Sequence, residues 1–306
     1  MSKKRKLAYL AMIGNVLIWG AALPIVKPSL SHISPFQFLF LRYLIAVPIL
    51  LPFAIHIINK NKVKLKTIAK ISLLEILAVP IPLSFLYFGL SKTTSIEASL
   101  LTATTPIFIT LGGILFLKEK EEKKEWIGLA IAFIGTILLT ISPQLLNNSS
   151  TSTISTSGNL LVILHNVTWA SYLIIAKKVY KNIPKTLITS VSSTVAMLSF
   201  LIITMIISSP INLQSLKIPS VATAVLYMGI LGTPIAFTLY LFGQNLIEAS
   251  EASLFNYLTG PIAIPFGIML LQESVSILQI SAILVIITGV ILGEYRSTKS
   301  RKKIAS

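Results

Sequence analysis

The chain has 306 residues, of which 54% are hydrophobic and only 12% are charged. Its apolar runs are too long for the core of a soluble domain, so we predict an all-α integral membrane protein. The formal net charge is +16, and the lack of cysteine excludes disulfide bonds and thiol chemistry.

Ten apolar runs have close to the length of about 20 residues that a helix needs to cross a bilayer. They are Leu7 to Val26, Pro35 to Ile58, Ile68 to Leu90, Glu97 to Leu117, Trp126 to Ile141, Gly158 to Ala176, Pro184 to Ser208, Pro219 to Ile247, Ala252 to Leu271 and Ile277 to Leu292. We therefore predict ten transmembrane helices, five in each half.

The basic residues are concentrated on one side of this predicted bundle. With a cytoplasmic N-terminus, the inner segments hold 22 of the 26 Lys and Arg residues, and the outer loops hold only Lys27, Lys92 and Lys217. The positive-inside rule therefore predicts that both termini are cytoplasmic. This placement indicates topology and attraction to the lipid bilayer, and it argues against nucleic-acid binding.

The first three helices carry several polar residues. Asn15 and Trp19 of helix one are four residues apart, so they share a face. Arg42 lies about two turns into helix two, where an arginine either faces a cavity or gate or anchors the structure. Helix three carries Glu75 and then two prolines, Pro80 and Pro82, which interrupt backbone pairing. Glu75 is predicted near the cytoplasmic end and Arg42 near the outer end, so we expect no direct ion pair.

Helix four begins at Glu97 in this interpretation, and its small and hydroxylic residues suit close helix packing or a substrate path. An uncharged Ser/Thr/Asn-rich stretch at 142–157 separates the two halves. We therefore divide the chain into a first unit at 1–141, an outer linker at 142–157 and a second unit at 158–306.

The second half repeats some of these polar positions. His165 and Trp169 of helix six share a face as Asn15 and Trp19 do, and the histidine is either a proton carrier or a neutral hydrogen-bonded side chain. The remaining polar candidates, on helices eight and nine, are Tyr240, Gln244, Asn256 and Tyr257.

An internal repeat organises the chain. The stretch from Phe88 to Leu138 recurs from Phe242 to Leu292 at an offset of 154, with shared residues that include Gly, Glu and Ser. A weaker echo at an offset of 150 aligns Trp19 with Trp169. Because each half has an odd number of helices, the second half enters the membrane inverted, which is the arrangement of many secondary transporters.

The chain resembles the EamA-type branch of the drug/metabolite transporter superfamily. The resemblance rests on the five-plus-five arrangement, the pair Trp19-Gly20, Arg42, and the closing pattern Glu273, Gln279 and Gly289. The first half departs from that pattern, with Glu125 where the second half has Gln279. The resemblance implies a central cavity lined by helices one, three, four, six, eight and nine, and small metabolites, often amino acids and usually exported, as substrates.

The predicted substrate cavity is aromatic, with neutral hydrogen-bonding groups. Its residues are Asn15, Trp19, His165, Trp169, Tyr240, Gln244, Asn256 and Tyr257. Such a lining suits neutral, zwitterionic or amphipathic solutes better than phosphorylated ones. We therefore predict a secondary transporter of the plasma membrane that exports small metabolites by alternating access, as a monomer or weak homodimer.

Several alternatives remain open at this point. Arg42 keeps a sugar-phosphate or nucleotide-sugar antiporter possible, and a channel or structural membrane protein would use the same helices. An enzyme is not expected, because the scattered ionisable residues form no catalytic cluster, cofactor site or metal site. We expect facilitated diffusion or exchange, with proton antiport through Glu75 or His165 as the second possibility; Arg42 and Glu75 are the gating or coupling candidates.

Overall fold

The computed structural model of the protein describes residues 3–117, 126–128, 130–135, 137–138, 155–180, 183–207, 211–246, 255 and 258–294. Every regular element within these ranges is helical, and six helical stretches are long and apolar enough to cross a membrane. Four further apolar helices are shorter. The predicted all-helical membrane protein is confirmed, whereas the count of ten spans stays a prediction.

The helices are named here in chain order, with their bounds. They are α1 (Lys3–Val26), α2 (Pro35–Asn61), α3 (Leu65–Ala78), α4 (Pro80–Lys92), α5 (Ser95–Thr102), α6 (Thr105–Leu117), α7 (Thr156–Val179), α8 (Lys185–Ile207), α9 (Pro219–Leu226), α10 (Ala236–Leu246), α11 (Thr259–Leu271) and α12 (Ile277–Glu294). Short 3₁₀ helices span Lys27–Ser31 and Leu213–Lys217, a π-helix spans Tyr227–Ile235, and further helical residues lie at 126–128 and 130–135.

The ends of α2 follow from its sequence. Ser34 is extended and its hydroxyl accepts from the amide of Gln37, while Pro35 occupies the first turn, where no amide donor is needed. At the other end Lys62 adopts a left-handed conformation with φ 46° and donates its amide to the carbonyl of Ile58. The helix therefore begins at the predicted residue and continues three residues past the predicted end at Ile58.

The predicted break in the third span is confirmed. The helix ends at Ala78 and resumes at Pro80, so Val79 is the junction. Pro80 and Pro82 have no amide hydrogen, and two carbonyls one turn earlier therefore lack their helical donors. The break leaves backbone acceptors in the middle of the bundle.

The fourth span differs from the prediction in two ways. It begins at Ser95 rather than at Glu97, because the Thr94 hydroxyl accepts from the Glu97 amide and caps the helix two residues earlier. It is also divided into α5 and α6 at Ala103 and Thr104. This break lies inside the bundle, where both residues are buried.

The eighth span contains a wide turn that the sequence reading did not anticipate. Between α9 and α10 the chain forms a π-helix around Pro234, and the amide of Ala236 bonds to the carbonyl of Leu231, five residues earlier. Where backbone hydrogen bonds return from a spacing of five residues to the usual four, one carbonyl is left without a helical donor. Here that carbonyl belongs to Gly232, the residue after Leu231. This segment therefore offers an acceptor to a neighbouring helix.

The first helix of each half packs against helices of the other half. α1 lies against α10 and α11, and α7 lies against α4 and α6. A Cβ added at Gly89 would lie 2.8 Å from the carbonyl oxygen of Gly158, and one added at Gly243 would lie 3.2 Å from that of Ala8. Gly89 and Gly243 are 154 residues apart, and Ala8 and Gly158 are 150 apart, so the two contacts are the same contact with the halves interchanged.

A second exchanged contact joins α12 to the helical residues at 126–135. A Cβ added at Gly135 would lie 3.0 Å from the carbonyl oxygen of Ala282, and one added at Gly289 would lie 2.6 Å from that of Gly128. Both glycine positions and both carbonyl positions are 154 residues apart. Glycine is required at both sites because the backbones approach too closely for a side chain.

Candidate functional site

Two helix crossings bring together most of the described candidate residues. We call the contact of Asn15 and Trp19 with the π-helix and α10 the α1 crossing. We call the contact of His165 with α4, together with the Trp169 ring stacked beside it, the α7 crossing. The two crossings lie in the interior of the bundle, where Asn15 and His165 are both buried.

In the α1 crossing, helix one donates to backbone carbonyls of the second half. Asn15 Nδ2 donates to the carbonyl of Ala236 at 2.9 Å, and Trp19 Nε1 donates to that of Gly232 at 2.9 Å. The Gly232 carbonyl is the one passed over where the π-helix ends, so Trp19 satisfies it. The Oδ1 atom of Asn15 is buried and has no hydrogen-bond partner.

Aromatic rings complete the α1 crossing. The ring of Trp19 lies 5.8 Å from that of Tyr240 and 6.4 Å from that of Phe237 between centroids. Trp19 and Tyr240 are half-buried. This group presents apolar ring faces beside the unpartnered amide oxygen of Asn15.

In the α7 crossing, the histidine contacts the broken third span. His165 Nδ1 lies 2.9 Å from the carbonyl oxygen of Pro82. The rings of His165 and Trp169 stack with centroids 6.2 Å apart, and Trp169 lies 5.2 Å from Tyr172. These three side chains are spaced by four and three residues and therefore share one face of α7.

The two crossings use equivalent positions. Asn15 and His165 are 150 residues apart, and their carbonyl partners, Pro82 and Ala236, are 154 residues apart. Each is a side-chain contact of 2.9 Å from the first helix of one half to the third span of the other.

Glu75 is fully buried next to the α7 crossing. Its Oε1 accepts from Tyr172 at 2.8 Å and Tyr180 at 2.9 Å, and its Oε2 accepts from Ser192 at 2.8 Å. Burial raises the pKa of the Tyr180 phenol, and the neighbouring carboxylate raises that pKa further, so this hydroxyl remains a donor at neutral pH. Three neutral hydroxyls thus surround the acid.

Arg42 is buried next to the α1 crossing. Its guanidinium donates to the Tyr87 hydroxyl at 2.7 Å and to the hydroxyls of Tyr43 and Thr233 at 3.3 Å. It also lies over the Tyr43 ring, 4.7 Å from the centroid. Nε has no partner. Arg42 and Glu75 bond to different residues.

Carboxylates also join the two halves at one end of the bundle. Glu273 accepts from the amides of Ser95 and Ile96 at 2.7 and 2.9 Å and from the Ser95 hydroxyl at 2.9 Å. Gln279 donates to Oε1 of the buried Glu97 at 3.2 Å. We call these five residues the carboxylate latch; it caps the N-terminus of α5 from the opposite half.

The structure therefore groups Asn15, Trp19 and Tyr240 in one crossing and His165 and Trp169 in the other. Arg42 flanks the first and Glu75 the second. The side chain of Gln244, and both Asn256 and Tyr257, lie outside the described residues. Substrate binding by all of these residues stays a prediction.

Sequence reasoning missed several partners. Asn166 is buried and donates to the Leu101 carbonyl at 2.7 Å, where α5 ends. Glu273 was read only as a repeated residue and as part of the closing pattern of the family resemblance, and Ser192 and Thr233 carried no sequence signal. Their roles depend on which helices meet, although the spacing of Tyr172 from His165 and Trp169 would have placed it on the same face.

The chain is similar to several curated proteins named uncharacterized transporters. One from Archaeoglobus fulgidus is 24% identical over 93% of this chain and 96% of that protein. YyaM of Bacillus subtilis is 23% identical over 92% of both chains, and one from Clostridium kluyveri is 27% identical over 89% and 88%. These similarities extend over nearly the whole length of each protein.

A crystal structure and a family model also match the chain. The crystal structure superposes with a TM-score of 0.65 over 98% of this chain and 99% of its own, at 17% sequence identity, which indicates a shared fold. The family model matches twice, over residues 6–141 and 156–293, and it describes the EamA-like transporter family.

Proposed function

The chain belongs to the EamA-like transporter family and is a membrane transporter, and from this premise we propose that it moves small metabolites by alternating access. In this proposal the two halves are inverted five-helix repeats, ten spans in all, that enclose one substrate chamber. The two states of such a carrier differ mainly by exchange of the conformations of its halves.

The exchanged contacts between the halves carry this proposal. Three contacts each occur twice, with the halves interchanged. They are Asn15–Ala236 with His165–Pro82, Gly89–Gly158 with Gly243–Ala8, and Gly135–Ala282 with Gly289–Gly128. Contacts that repeat in this way are what a twofold axis between two units produces. An inverted repeat would give both states of the carrier similar contacts.

The carboxylate latch supplies the closed end that alternating access requires. Its hydrogen bonds join α5 of one half to the residues between α11 and α12 of the other. We propose that this is the outer end and that the bonds break when the chamber opens there. The proposal includes cytoplasmic termini and a location in the plasma membrane.

The chemistry of the crossings favours neutral, zwitterionic or amphipathic solutes such as amino acids. The proposal takes export as the direction from the family resemblance, not from this chemistry. Trp19, Tyr240 and Trp169 offer ring faces, and Asn15 offers an unpartnered oxygen. Arg42 is one observation that favours a second candidate, a sugar-phosphate or nucleotide-sugar antiporter, since guanidinium binds phosphate well. This is the weaker candidate because Arg42 is the one buried cationic side chain among the described residues, whereas a phosphate carries more than one negative charge.

Counterflow in proteoliposomes tests the proposed function. Vesicles loaded with unlabelled solute should accumulate the labelled form, because a carrier exchanges one molecule for another. Trp19→Ala and Trp169→Ala should each lower this exchange at least about tenfold while leaving insertion intact, since each removes a ring from a crossing. Flux without trans-stimulation would show a channel, and normal exchange in both variants would contradict the site.

Single-cysteine labelling tests the topology, because the chain has no cysteine of its own. A membrane-impermeant maleimide added to intact cells should label Ser31→Cys and spare Asn61→Cys. Both positions are exposed at opposite ends of the first helices. Labelling of Asn61→Cys alone would reverse the proposed orientation, and labelling of both in sealed cells would contradict the proposed α2 span.

A further inference from the structure

Arg42 and Glu75 are two opposite charges, each buried and each surrounded only by neutral partners in the described part of the chain. We propose that they are the two anchors of a single zwitterionic substrate, whose carboxylate binds Arg42 and whose ammonium group binds Glu75. This inference rests on the proposed transport function and gives its substrate a defined charge pattern.

The surroundings of Arg42 leave its positive charge without a counter-charge. Its three hydrogen bonds go to hydroxyls of Tyr43, Tyr87 and Thr233, and its guanidinium carbon also lies over both tyrosine rings. The Nε donor is buried and unpartnered. A buried donor without an acceptor is costly, and a carboxylate is the group that a guanidinium binds best.

The surroundings of Glu75 are the complement. Hydroxyls of Tyr172, Tyr180 and Ser192 donate to its two oxygens, and no cationic side chain bonds to it among the residues described. An ionised carboxylate inside a membrane protein is costly and usually marks a functional position. The five oxygens of this group can accept from an ammonium ion, which is a compact donor.

The two charges occupy related places in the two halves. Glu75 corresponds to Gly229 at the offset of 154, and a Cβ added at Gly229 would lie 3.0 Å from the carbonyl oxygen of Arg42. Arg42 corresponds to Ser192 at the offset of 150, and Ser192 is a partner of Glu75. The contact between the second span of one half and the third span of the other therefore occurs twice. One copy contains the cation Arg42, nearer one end of the bundle, and the other contains the anion Glu75, nearer the opposite end.

The separation of the charges suits a small solute. Arg42 lies 7 residues from the start of α2 and Glu75 lies 17 residues from the end of α4, so at 1.5 Å per residue their backbones differ in depth by about 15 Å. The two side chains shorten this gap, because both are long enough to extend along the bundle from their backbones. A short peptide suits this separation better than a single amino acid, because each added residue moves its two terminal charges about 3.5 Å further apart.

A zwitterion accounts for both charges at once. A proton would neutralise Glu75 and leave Arg42 uncompensated, and an anion would do the reverse. A solute with both groups compensates each buried charge without changing the net charge of the protein. The geometry therefore favours the zwitterion over a coupling ion at either residue.

Matched solutes test this directly. Tryptophan fluorescence of the purified full-length protein is titrated with a panel of amino acids and dipeptides, each also in its N-acetyl form and its C-terminal amide form. The N-acetyl form keeps only the carboxylate, and the amide keeps only the ammonium group. Wild-type protein should bind the zwitterion at least tenfold more tightly than either derivative.

The variants assign each preference to one residue. Glu75→Gln should remove the preference for the zwitterion over the N-acetyl form. Arg42→Gln should remove the preference for the zwitterion over the C-terminal amide. Glu97→Gln, which changes a buried carboxylate in the latch, should leave both ratios unchanged. Arg42→Lys and Glu75→Asp keep the charges and should keep the preferences.

Three results would overturn the inference. One is wild-type binding that does not distinguish the three forms, which decides the matter even if the variants fail to fold. A second is folded Gln variants that retain the wild-type ratios. A third is Glu75→Gln protein that loses only pH-driven uptake, which would make Glu75 a proton carrier. Counterflow that does not distinguish solute charge would contradict this inference alone, whereas no counterflow for any solute would contradict the proposed transporter.

Discussion

The α1 crossing and the α7 crossing have the same geometry and different chemistry. Asn15 and His165 each contact a carbonyl of the opposite half at 2.9 Å, and each is followed four residues later by a tryptophan. The carbonyl belongs to Ala236, directly after a π-helix, in one case and to Pro82, just after a proline break, in the other. The comparison shows that helix packing constrains backbone contacts, while the ionisable groups beside them can differ.

The charged neighbours illustrate this difference. Arg42 flanks the α1 crossing and Glu75 flanks the α7 crossing, yet the position equivalent to Glu75 is a glycine and the one equivalent to Arg42 is a serine. Small residues at the equivalent positions leave room for the opposite half. A repeat can therefore keep its fold while its two copies carry different charges at equivalent positions.

The glycine contacts provide the largest test of this comparison. Gly135→Val and Gly289→Val should each lower the free energy of unfolding by about 3 kcal/mol, because the added side chain meets backbone of the other half. The nearest backbone atom would be 2.9 Å away at Gly135 and 2.3 Å away at Gly289. Thermal unfolding in detergent measures both losses.

A matched control is available in α1. A Cβ at Gly14 would meet only the end of the Leu239 side chain, at 3.3 Å, so Gly14→Ala should unfold near the wild-type temperature. If Gly135→Val were tolerated while Gly289→Val was not, the two halves would not pack equivalently and the comparison would fail.

The carboxylate latch provides the next test, because the described residues show such a latch between the halves at just one end of the bundle. Glu273→Ala removes the acceptor for two amides and one hydroxyl at the start of α5. Loss of such a cap should cost about 1 to 2 kcal/mol. Glu273→Gln retains one acceptor oxygen and should lose less.

The rate of cysteine labelling shows whether the latch is a gate. If it closes the outer end, Glu273→Ala should raise the rate of labelling of a cysteine at Thr102, which lies at the end of α5, from outside the cell. Unchanged labelling together with reduced stability would make the latch a structural contact only.

Exchanging the side chains of the crossings is the smallest and sharpest test. Asn15→Leu and His165→Leu should each cost about 1 kcal/mol, the usual contribution of one hydrogen bond. Asn15→His and His165→Asn should cost less, since either side chain can donate to a carbonyl. If only one exchange is tolerated, the crossings differ in shape as well as in chemistry.

Much of the fold could be predicted from the sequence for specific physical reasons. The two prolines at 80 and 82 predicted the break at Val79, since neither can donate an amide hydrogen. The repeat predicted which positions correspond in the two halves. It did not predict that contacts between the halves recur with the halves interchanged, because a repeat gives no information about how its copies pack.

The wide turn at Tyr227–Ile235 could not be predicted in the same way. Pro234 indicated an interruption, but a kink, a break and a π-helix all accommodate a missing amide. The choice depends on Trp19, which satisfies the carbonyl that the wide turn leaves free. That donor is 213 residues away in the chain, beyond the reach of local sequence patterns.

The latch also has a consequence for how the carrier responds to its medium. While it is closed, the half-buried Glu273 carboxylate is bound by the first amides of α5. Opening transfers both to solution, where mobile ions screen them within about 10 Å at 0.1 M salt. Ionic strength on that face of the membrane should therefore lower the cost of opening, so that salt added to one compartment alone changes the turnover rate.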